Sequence, residues 1–147
     1  MLYNKKIFIT GGAGFIANKL IQHYIDQNTI RVYDNFHRDT LTKSGFATHP
    51  NITIIKGDVL DKNALDEAMA GVDIVIHAAG IAGIDTVIKN PVHTMQVNMM
   101  GTAFALEAAH RHCVERFIDF STSEVFGSMA YRSSETDQTV SGSAGEA

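Results

Sequence analysis

Short apolar segments alternate with amphipathic segments along this chain, which indicates strands and helices in alternation. Apolar residues at helical spacing over 13–26 come after the first apolar segment, and each later predicted helix also lies between two apolar segments. The apolar segments lack polar alternation, which is typical of strands buried on both faces of a parallel sheet. The repeated β-α-β order therefore predicts an α/β fold with a doubly wound parallel sheet. The predicted strands are 5–10, 30–33, 51–56, 73–77 and 116–120.

Two later helices have recognisable beginnings. Asp61 is placed to cap a helix over 61–71, and Pro91 opens a helix that we expect to run over 91–112. Asp61 has a side-chain oxygen that can accept from the first helical turn, and the missing N–H of Pro91 costs nothing there. These signals support the alternation read from the apolar pattern.

The helix predicted at 91–112 is apolar nearly all round, so we expect it to be buried on more than one side. Met95 and Met99 have the spacing of a single helical stripe, which predicts that both lie in the core. Apolar surface on this helix that finds no cover within the chain would promote association. We therefore expect self-association, or a homodimer, through helix 91–112.

The strongest chemical signal is the sequence Thr-Gly-Gly-Ala-Gly-Phe-Ile-Ala at 10–17, between the first strand and the first helix. Glycines at such a turn let the backbone approach a pyrophosphate closely, and the helix then directs its free N–H groups at the phosphates. The spacing fits the fingerprint of a Rossmann-type dinucleotide site. The predicted cofactor contacts of this turn are Gly11, Gly14, Phe15 and Ile16.

Asp34 strengthens this interpretation because it follows Gly14 by 20 residues, at the end of the second predicted strand. A carboxylate at that position can accept hydrogen bonds from both hydroxyls of the adenosine ribose. It would also repel the 2′-phosphate of NADP, so the predicted cofactor is NAD. Arg31 and Arg38 lie nearby in the sequence, and we interpret both as solvated.

Composition excludes several other classes of protein. The formal charge of −4 and the scattered basic residues argue against a nucleic-acid partner. No apolar run is long enough to cross a membrane, and because the first strand begins at once we expect no signal peptide. Cys113 is the only cysteine, which favours a cytoplasmic location, and we interpret it as a small residue leading into a buried strand. No spacing of ligand residues predicts a metal site.

Six ordered motifs over residues 5–127 resemble the extended short-chain dehydrogenase/reductase family, and within it the NAD-dependent nucleotide-sugar epimerases and dehydratases. The glycine turn is the first motif. The others are Asp34-Asn35-Phe36, Gly57-Asp58-Val59, His77-Ala78-Ala79-Gly80, Asn98-Met99-Met100-Gly101-Thr102 and Ser121 to Gly127.

The resemblance implies further cofactor contacts. Asp58 would accept from the adenine amino group with Val59 against the ring, although Asp58 could instead cap a turn. Asn98 would lie near the nicotinamide, or else make a structural hydrogen bond. His77 we interpret as a core histidine whose hydrogen bonds are satisfied. The remaining contacts implied by the resemblance are Asn35, Ala78, Ala79 and Gly80.

The same resemblance implies an activity in which NAD oxidises a nucleotide sugar, a keto intermediate reacts, and the hydride returns. Thr122 would hydrogen-bond the sugar hydroxyl that is oxidised, and Glu124 would serve acid/base or positioning work. A glutamate at this position favours dehydratase or decarboxylase chemistry over 4-epimerase chemistry. These two residues are the predicted catalytic residues.

The family uses a tyrosine with a lysine four residues later, and this sequence has no Tyr-x-x-x-Lys pair. We therefore expect the 147-residue chain to bind NAD without turnover. The expected organisation is an incomplete NAD-binding domain over 1–130 and a mobile polar tail over 131–147, with no substrate domain. A stand-alone NAD-sensing module is the alternative. A methyltransferase also uses a glycine-rich turn, but the motif at 121–127 argues against it.

Overall fold

A computed structural model describes residues 2–127, 133–134, 136–137 and 139 of this chain. Its five strands form one parallel sheet in the order β3-β2-β1-β4-β5. The strands are β1 (Lys6–Thr10), β2 (Thr29–Asp34), β3 (Ile52–Lys56), β4 (Ile74–His77) and β5 (Arg116–Asp119). The helices are α1 (Phe15–Tyr24), α2 (Lys62–Met69), α3 (Ile84–Lys89), α4 (Pro91–Met95) and α5 (Thr102–Arg111). A π-helical segment, Gln96–Gly101, joins α4 to α5, and a 3-10 turn, Ser123–Phe126, follows β5.

The sheet separates two apolar cores. Ala17 and Ile21 of α1 pack in one core with the alternate residues of the central strands. Leu65 of α2 and Ala105 of α5 pack in the other core, against Phe8 and its neighbours. Helices thus cover both faces, and the chain leaves β1 toward β2 first and returns toward β4 later. The predicted α/β doubly wound parallel sheet is confirmed, and the strand order reverses beside β1, where such sheets bind ligands.

The helix predicted over 91–112 is observed over 91–111, with one departure from regular α-helical geometry. It begins at Pro91 as expected and its backbone stays helical to Arg111, but the part from Gln96 to Gly101 is π-helical rather than α-helical. Met95 and Met99 are 56% and 58% exposed, so the prediction that both lie in the core is also wrong. Met95 and Met99 do lie on one stripe, but this stripe faces away from the sheet, while Thr94, Gly101 and Ala105 are buried. Val97 faces inward instead.

The edges of the sheet depart from the expectation of strands buried on both faces. β3 and β5 lie at the two edges of the sheet, and most of their side chains are exposed. Cys113 is exposed with φ 53°, so it does not lead into a buried strand as interpreted. It occupies the left-handed position that ends α5, where its N–H donates to His110 O at 3.1 Å.

Arg31 is not simply solvated. Its Nη1 donates to the carbonyl oxygens of Ala68 and Ala70, at 2.6 and 3.0 Å, which are among the last carbonyls of α2. Asp61 caps the start of the same helix as predicted, since its Oδ1 accepts from Ala64 N at 3.1 Å. The strand and the helix are therefore joined by a side chain as well as by the apolar core.

The expected polar tail over 131–147 and the domain boundary at 130 fall mostly outside the described residues, so both stay predictions. Across the described part of the chain, no helix is long and apolar enough to cross a membrane. Within that same part, no three metal-binding side chains come together.

Candidate functional site: a dinucleotide cleft

The predicted cofactor residues collect at the carboxyl edge of the sheet. The turns that follow β1, β2, β3 and β4 all open on this edge, because parallel strands end on the same side. Gly11, Asp58 and Ala79 lie in the turns after β1, β3 and β4, and Asp34 is the last residue of β2. The structure therefore brings four separate sequence motifs to one cleft.

Gly11 has φ 64°, a left-handed conformation that favours glycine. A Cβ there would lie 2.6 Å from Ala79 N and 2.7 Å from Ala78 O, so the turn after β1 lies directly on the turn after β4. Gly14 precedes α1, which has no side-chain cap. The first N–H groups of that helix are thus positioned to bind an anion, with the exposed Phe15 and Ile16 beside them.

Asp34 is buried and ties the glycine turn to the end of β2. Its Oδ2 accepts from Ala13 N at 3.0 Å, and its Oδ1 accepts from Phe36 N at 2.6 Å. Each carboxylate oxygen has a further lone pair, so both can accept again from a diol. The exposed Asn35 makes a local turn in which its Oδ1 accepts from His37 N at 3.0 Å.

Asp58 and Val59 follow β3. The Oδ1 of Asp58 accepts from Leu60 N at 2.9 Å, so the turn-capping alternative is observed. One such contact leaves acceptor capacity on the carboxylate, and the adenine interpretation stays open. Val59 is buried in the second core rather than displayed on the surface of the cleft.

His77 lies at the centre of a directed hydrogen-bond chain. Thr102 donates its hydroxyl proton to Asn98 O at 2.8 Å, so His77 Nε2 must be the donor to Thr102 Oγ1 at 3.1 Å. In the neutral ring His77 Nδ1 is then the acceptor for the Thr10 hydroxyl at 2.7 Å, and Thr10 Oγ1 accepts from Ala79 N at 3.3 Å. Burial lowers the pKa of His77, in keeping with this neutral form. The interpretation as a satisfied core histidine is supported by these contacts.

Asn98 makes structural hydrogen bonds, which is the alternative to a position near the nicotinamide. Its Nδ2 donates to Ile81 O at 2.9 Å, and its Oδ1 accepts from Ile81 N at 2.7 Å. The π-helical segment thereby holds the loop after β4, which begins with Ala78 and Ala79. Gly80 lies beside the same amide, since a Cβ there would be 3.4 Å from Asn98 Oδ1. Asn98 thus supports the cleft from its rim.

Thr122 and Glu124 follow β5 at the same edge of the sheet. Thr122 is exposed, and its carbonyl accepts from Val125 N at 3.4 Å. Glu124 belongs to the 3-10 turn, but its side chain lies outside the described residues. Their predicted catalytic roles therefore stay predictions.

Sequence reasoning missed three residues that organise the cleft. Thr10 and Thr102 complete the chain through His77, and the Tyr33 hydroxyl donates to Asp58 O at 3.0 Å. The only sequence signal for Tyr33 was its position directly before Asp34. Nothing local in the sequence indicates which carbonyl a buried tyrosine will reach.

A family model described as the NAD dependent epimerase/dehydratase family matches residues 7–144. A dTDP-glucose 4,6-dehydratase from Streptomyces niveus is 32% identical over 133 residues, covering 84% of this chain and 40% of its own. A UDP-N-acetyl-alpha-D-glucosaminuronate decarboxylase from Bacillus cytotoxicus is 34% identical over 139 residues, covering 94% and 43%. Among solved structures, a UDP-N-acetylglucosamine 4-epimerase from Methanobrevibacter ruminantium M1, in complex with UDP-N-acetylmuramic acid, has a TM-score of 0.89. It is 26% identical, with 97% of this chain and 46% of that chain covered.

Proposed function

Because this chain belongs to the NAD dependent epimerase/dehydratase family, we propose that it forms the cofactor-binding part of a nucleotide-sugar epimerase or dehydratase. The chain spans 40% and 43% of the length of the two curated relatives, so the activity of a whole enzyme is part of the proposal. The observation that carries it is the buried Asp34 carboxylate, held by Ala13 and Phe36 beside an uncapped helix start.

NAD is the cofactor of this family, and the residues at the cleft fit it. Gly11 lets the turn after β1 lie directly on the turn after β4, and the start of α1 offers N–H groups for a pyrophosphate. Asp34 would accept from the adenosine ribose. When bound, NAD supplies the redox chemistry, by accepting a hydride from the sugar and returning it. The other assigned contacts are Gly14, Phe15, Ile16, Asn35, Asp58, Val59, Ala78, Ala79, Gly80 and Asn98.

The substrate proposed for the whole enzyme is a nucleotide sugar. The names of the relatives support this class, since they include a dehydratase and a decarboxylase of nucleotide sugars. Thr122 would hydrogen-bond the hydroxyl to be oxidised, and Glu124 would act on the adjacent carbon. The glutamate favours a dehydratase or decarboxylase over a 4-epimerase.

The 147-residue chain by itself should not turn over a nucleotide sugar, because its sequence contains no Tyr-x-x-x-Lys pair. The alternative, an NAD-sensing module, rests on the same absence. Sequencing the coding region past codon 147 separates the two, since a Tyr-x-x-x-Lys pair downstream supports the enzyme. Steady turnover by the pure chain would contradict the assignment of catalysis to that pair.

A second copy of the chain is the proposed partner. Apolar side chains are exposed along α3, α4, the π-helical segment and α5, and burying them between two copies would be favourable. These side chains are Ile84, Ile88, Val92, Met95, Met99, Met100 and Leu106. A cytoplasmic location stays a prediction.

Titration calorimetry of the chain with NAD and with NADP tests the proposed cofactor site. We expect NAD to bind more tightly, and we expect Asp34→Ala to weaken NAD binding by about 1.5–3 kcal/mol through lost charged hydrogen bonds. Asp85→Ala removes an exposed carboxylate on α3 and should leave the affinity unchanged. Thermal melting of each variant checks that it is folded. Equal or tighter binding of NADP would overturn the proposal.

A further inference from the structure

Tyr33 lies buried beneath the loop that carries Asp58, with only 1% of its surface exposed. Its ring packs against Phe8 with the centroids 5.8 Å apart. The loop sits close above the ring, since a Cβ on Gly57 would be 2.2 Å from Tyr33 Cζ. The Tyr33 ring therefore packs directly against the backbone of this loop.

The hydroxyl of Tyr33 holds the backbone of the same loop. It donates to Asp58 O at 3.0 Å, and Asp61 N donates to that carbonyl at 2.9 Å. A carbonyl oxygen has two lone pairs, so these two donors satisfy it. The Asp58 side chain is oriented separately, by Leu60 N at 2.9 Å. The position of Asp58 thus depends on a contact from a neighbouring strand as well as on its own turn.

The same end of β2 also controls the other turns of the cleft. Gly11 N donates to Tyr33 O at 2.9 Å, and Gly57 N donates to Asp34 O at 3.0 Å. Neighbouring residues of a strand point to opposite faces. The Tyr33 side chain can therefore reach Asp58 while the Asp34 side chain reaches Ala13. The end of β2 thus connects the glycine turn after β1 with the loop after β3.

We propose that Tyr33 is a positioning residue for base selectivity: its hydroxyl holds Asp58 where the carboxylate accepts from the exocyclic amino group of adenine. This inference rests on the proposed NAD site. Burial raises the pKa of Tyr33 to about 12, so the hydroxyl keeps its proton and stays a donor at neutral pH. Selectivity for an amino group over an oxo group at the same ring carbon follows, because a carboxylate accepts from the first and repels the second.

The test compares NAD with nicotinamide hypoxanthine dinucleotide, which carries an oxo group in place of the adenine amino group. Affinities of both are measured by calorimetry for the wild-type chain, Tyr33→Phe and Asp58→Ala. We expect the wild type to prefer NAD by about tenfold or more, as for one charge-assisted hydrogen bond. Asp58→Ala should lose the preference. Tyr33→Phe should reduce it to about threefold or less while still binding the hypoxanthine dinucleotide nearly as well as the wild type does.

Two controls separate positioning from general stability. Tyr24→Phe removes a hydroxyl at the far end of α1 and should keep the full preference. Replacing Tyr33 by 4-aminophenylalanine restores an N–H donor and should restore the preference for NAD. Thermal melting accompanies each measurement, and a phenylalanine variant that fails to fold would overturn the inference by making the hydroxyl a purely structural group.

The outcomes also distinguish this inference from the proposed function. A wild type that binds neither dinucleotide would contradict the NAD site itself. A wild type that binds both equally would remove the role of Asp58, and with it that of Tyr33. An unchanged preference in Tyr33→Phe would overturn the positioning role alone and leave the NAD site intact.

Discussion

His77 and Thr10 are joined by a buried hydrogen bond of 2.7 Å between His77 Nδ1 and Thr10 Oγ1, across strands β4 and β1. Thr10 is the last residue before the glycine turn, and His77 is the last residue of β4 before the loop that begins with Ala78. The bond therefore joins the ends of the two strands from which the turns that meet at Gly11 begin. In neutral His77, the form that burial favours, the Nδ1 atom accepts the proton of Thr10.

This arrangement predicts a stability that depends on pH. Burial lowers the pKa of His77 from 6.5, against a smaller opposing effect of Asp119. Below pH 6.5 the unfolded chain binds a proton at this histidine that the folded chain excludes, so this contribution to stability is present above that pH and declines below it. The decline is at most about 1.4 kcal/mol per pH unit.

Chemical denaturation at about pH 7.5 and about pH 5.5 measures the effect, with His77→Gln for comparison. The variant should be less stable by about 1–3 kcal/mol at the higher pH, because it loses buried hydrogen bonds. The gap to the wild type should narrow at the lower pH. His110→Gln is the control, because it removes a histidine whose side chain is exposed. A gap that widens on acidification would show that the buried ring is not neutral.

Two glycines with nearly equal φ values separate conformational strain from steric overlap. Gly11 and Gly71 have φ of 64° and 71°, but only at Gly11 would a Cβ meet backbone, 2.6 Å from Ala79 N. We expect Gly71→Ala to cost about 1 kcal/mol, from the left-handed conformation alone. Gly11→Ala should cost more and abolish NAD binding, since the turn must move away from β4.

Thermal melting and calorimetry of both alanine variants check this prediction. Retention of NAD affinity by Gly71→Ala shows that a left-handed alanine distant from the cleft is tolerated. Equal costs in the two variants would mean that the close approach of the turns after β1 and β4 is not important.

Replacing Arg31 should lower the free energy of unfolding without changing the cofactor site. The Arg31 guanidinium caps the end of α2 through the carbonyls of Ala68 and Ala70, so Arg31→Met should reduce the free energy of unfolding by about 1–2 kcal/mol. Arg38→Met, at an exposed position, should change it by less than about 0.5 kcal/mol. NAD affinity should be the same in both variants. A large loss of affinity in Arg31→Met would link this cap to the cleft.

Exposed apolar side chains predict self-association. Ile88, Val92 and Met95 are 65%, 71% and 56% exposed on consecutive short helices. Sedimentation velocity over a concentration series should show a weight-average coefficient that rises with concentration. Met95→Glu should suppress the rise, while Thr53→Glu, on the exposed edge strand β3, should not. A monomer at every concentration would contradict the proposed second copy.

Features that depend on residues close together in the chain could be predicted from the sequence. Strand and helix alternation, the turn at 10–17, the Asp61 cap and the helix start at Pro91 each rest on a few consecutive positions. The glycine turn and Asp34 could be paired in advance because a β-α-β unit imposes a nearly constant separation between them. Backbone conformation and turn chemistry are local, so they can be read locally.

Only the tertiary structure decided which distant groups meet. Tyr33 reaches a carbonyl 25 residues away, and Thr10 reaches His77 across 67 residues. Met95 lies outside because its stripe of the helix faces away from the sheet, and the spacing of a stripe does not tell whether it faces the core or the solvent. Such contacts depend on how strands are ordered and how helices rotate on the sheet, and these are settled by packing over the whole chain rather than by any short pattern.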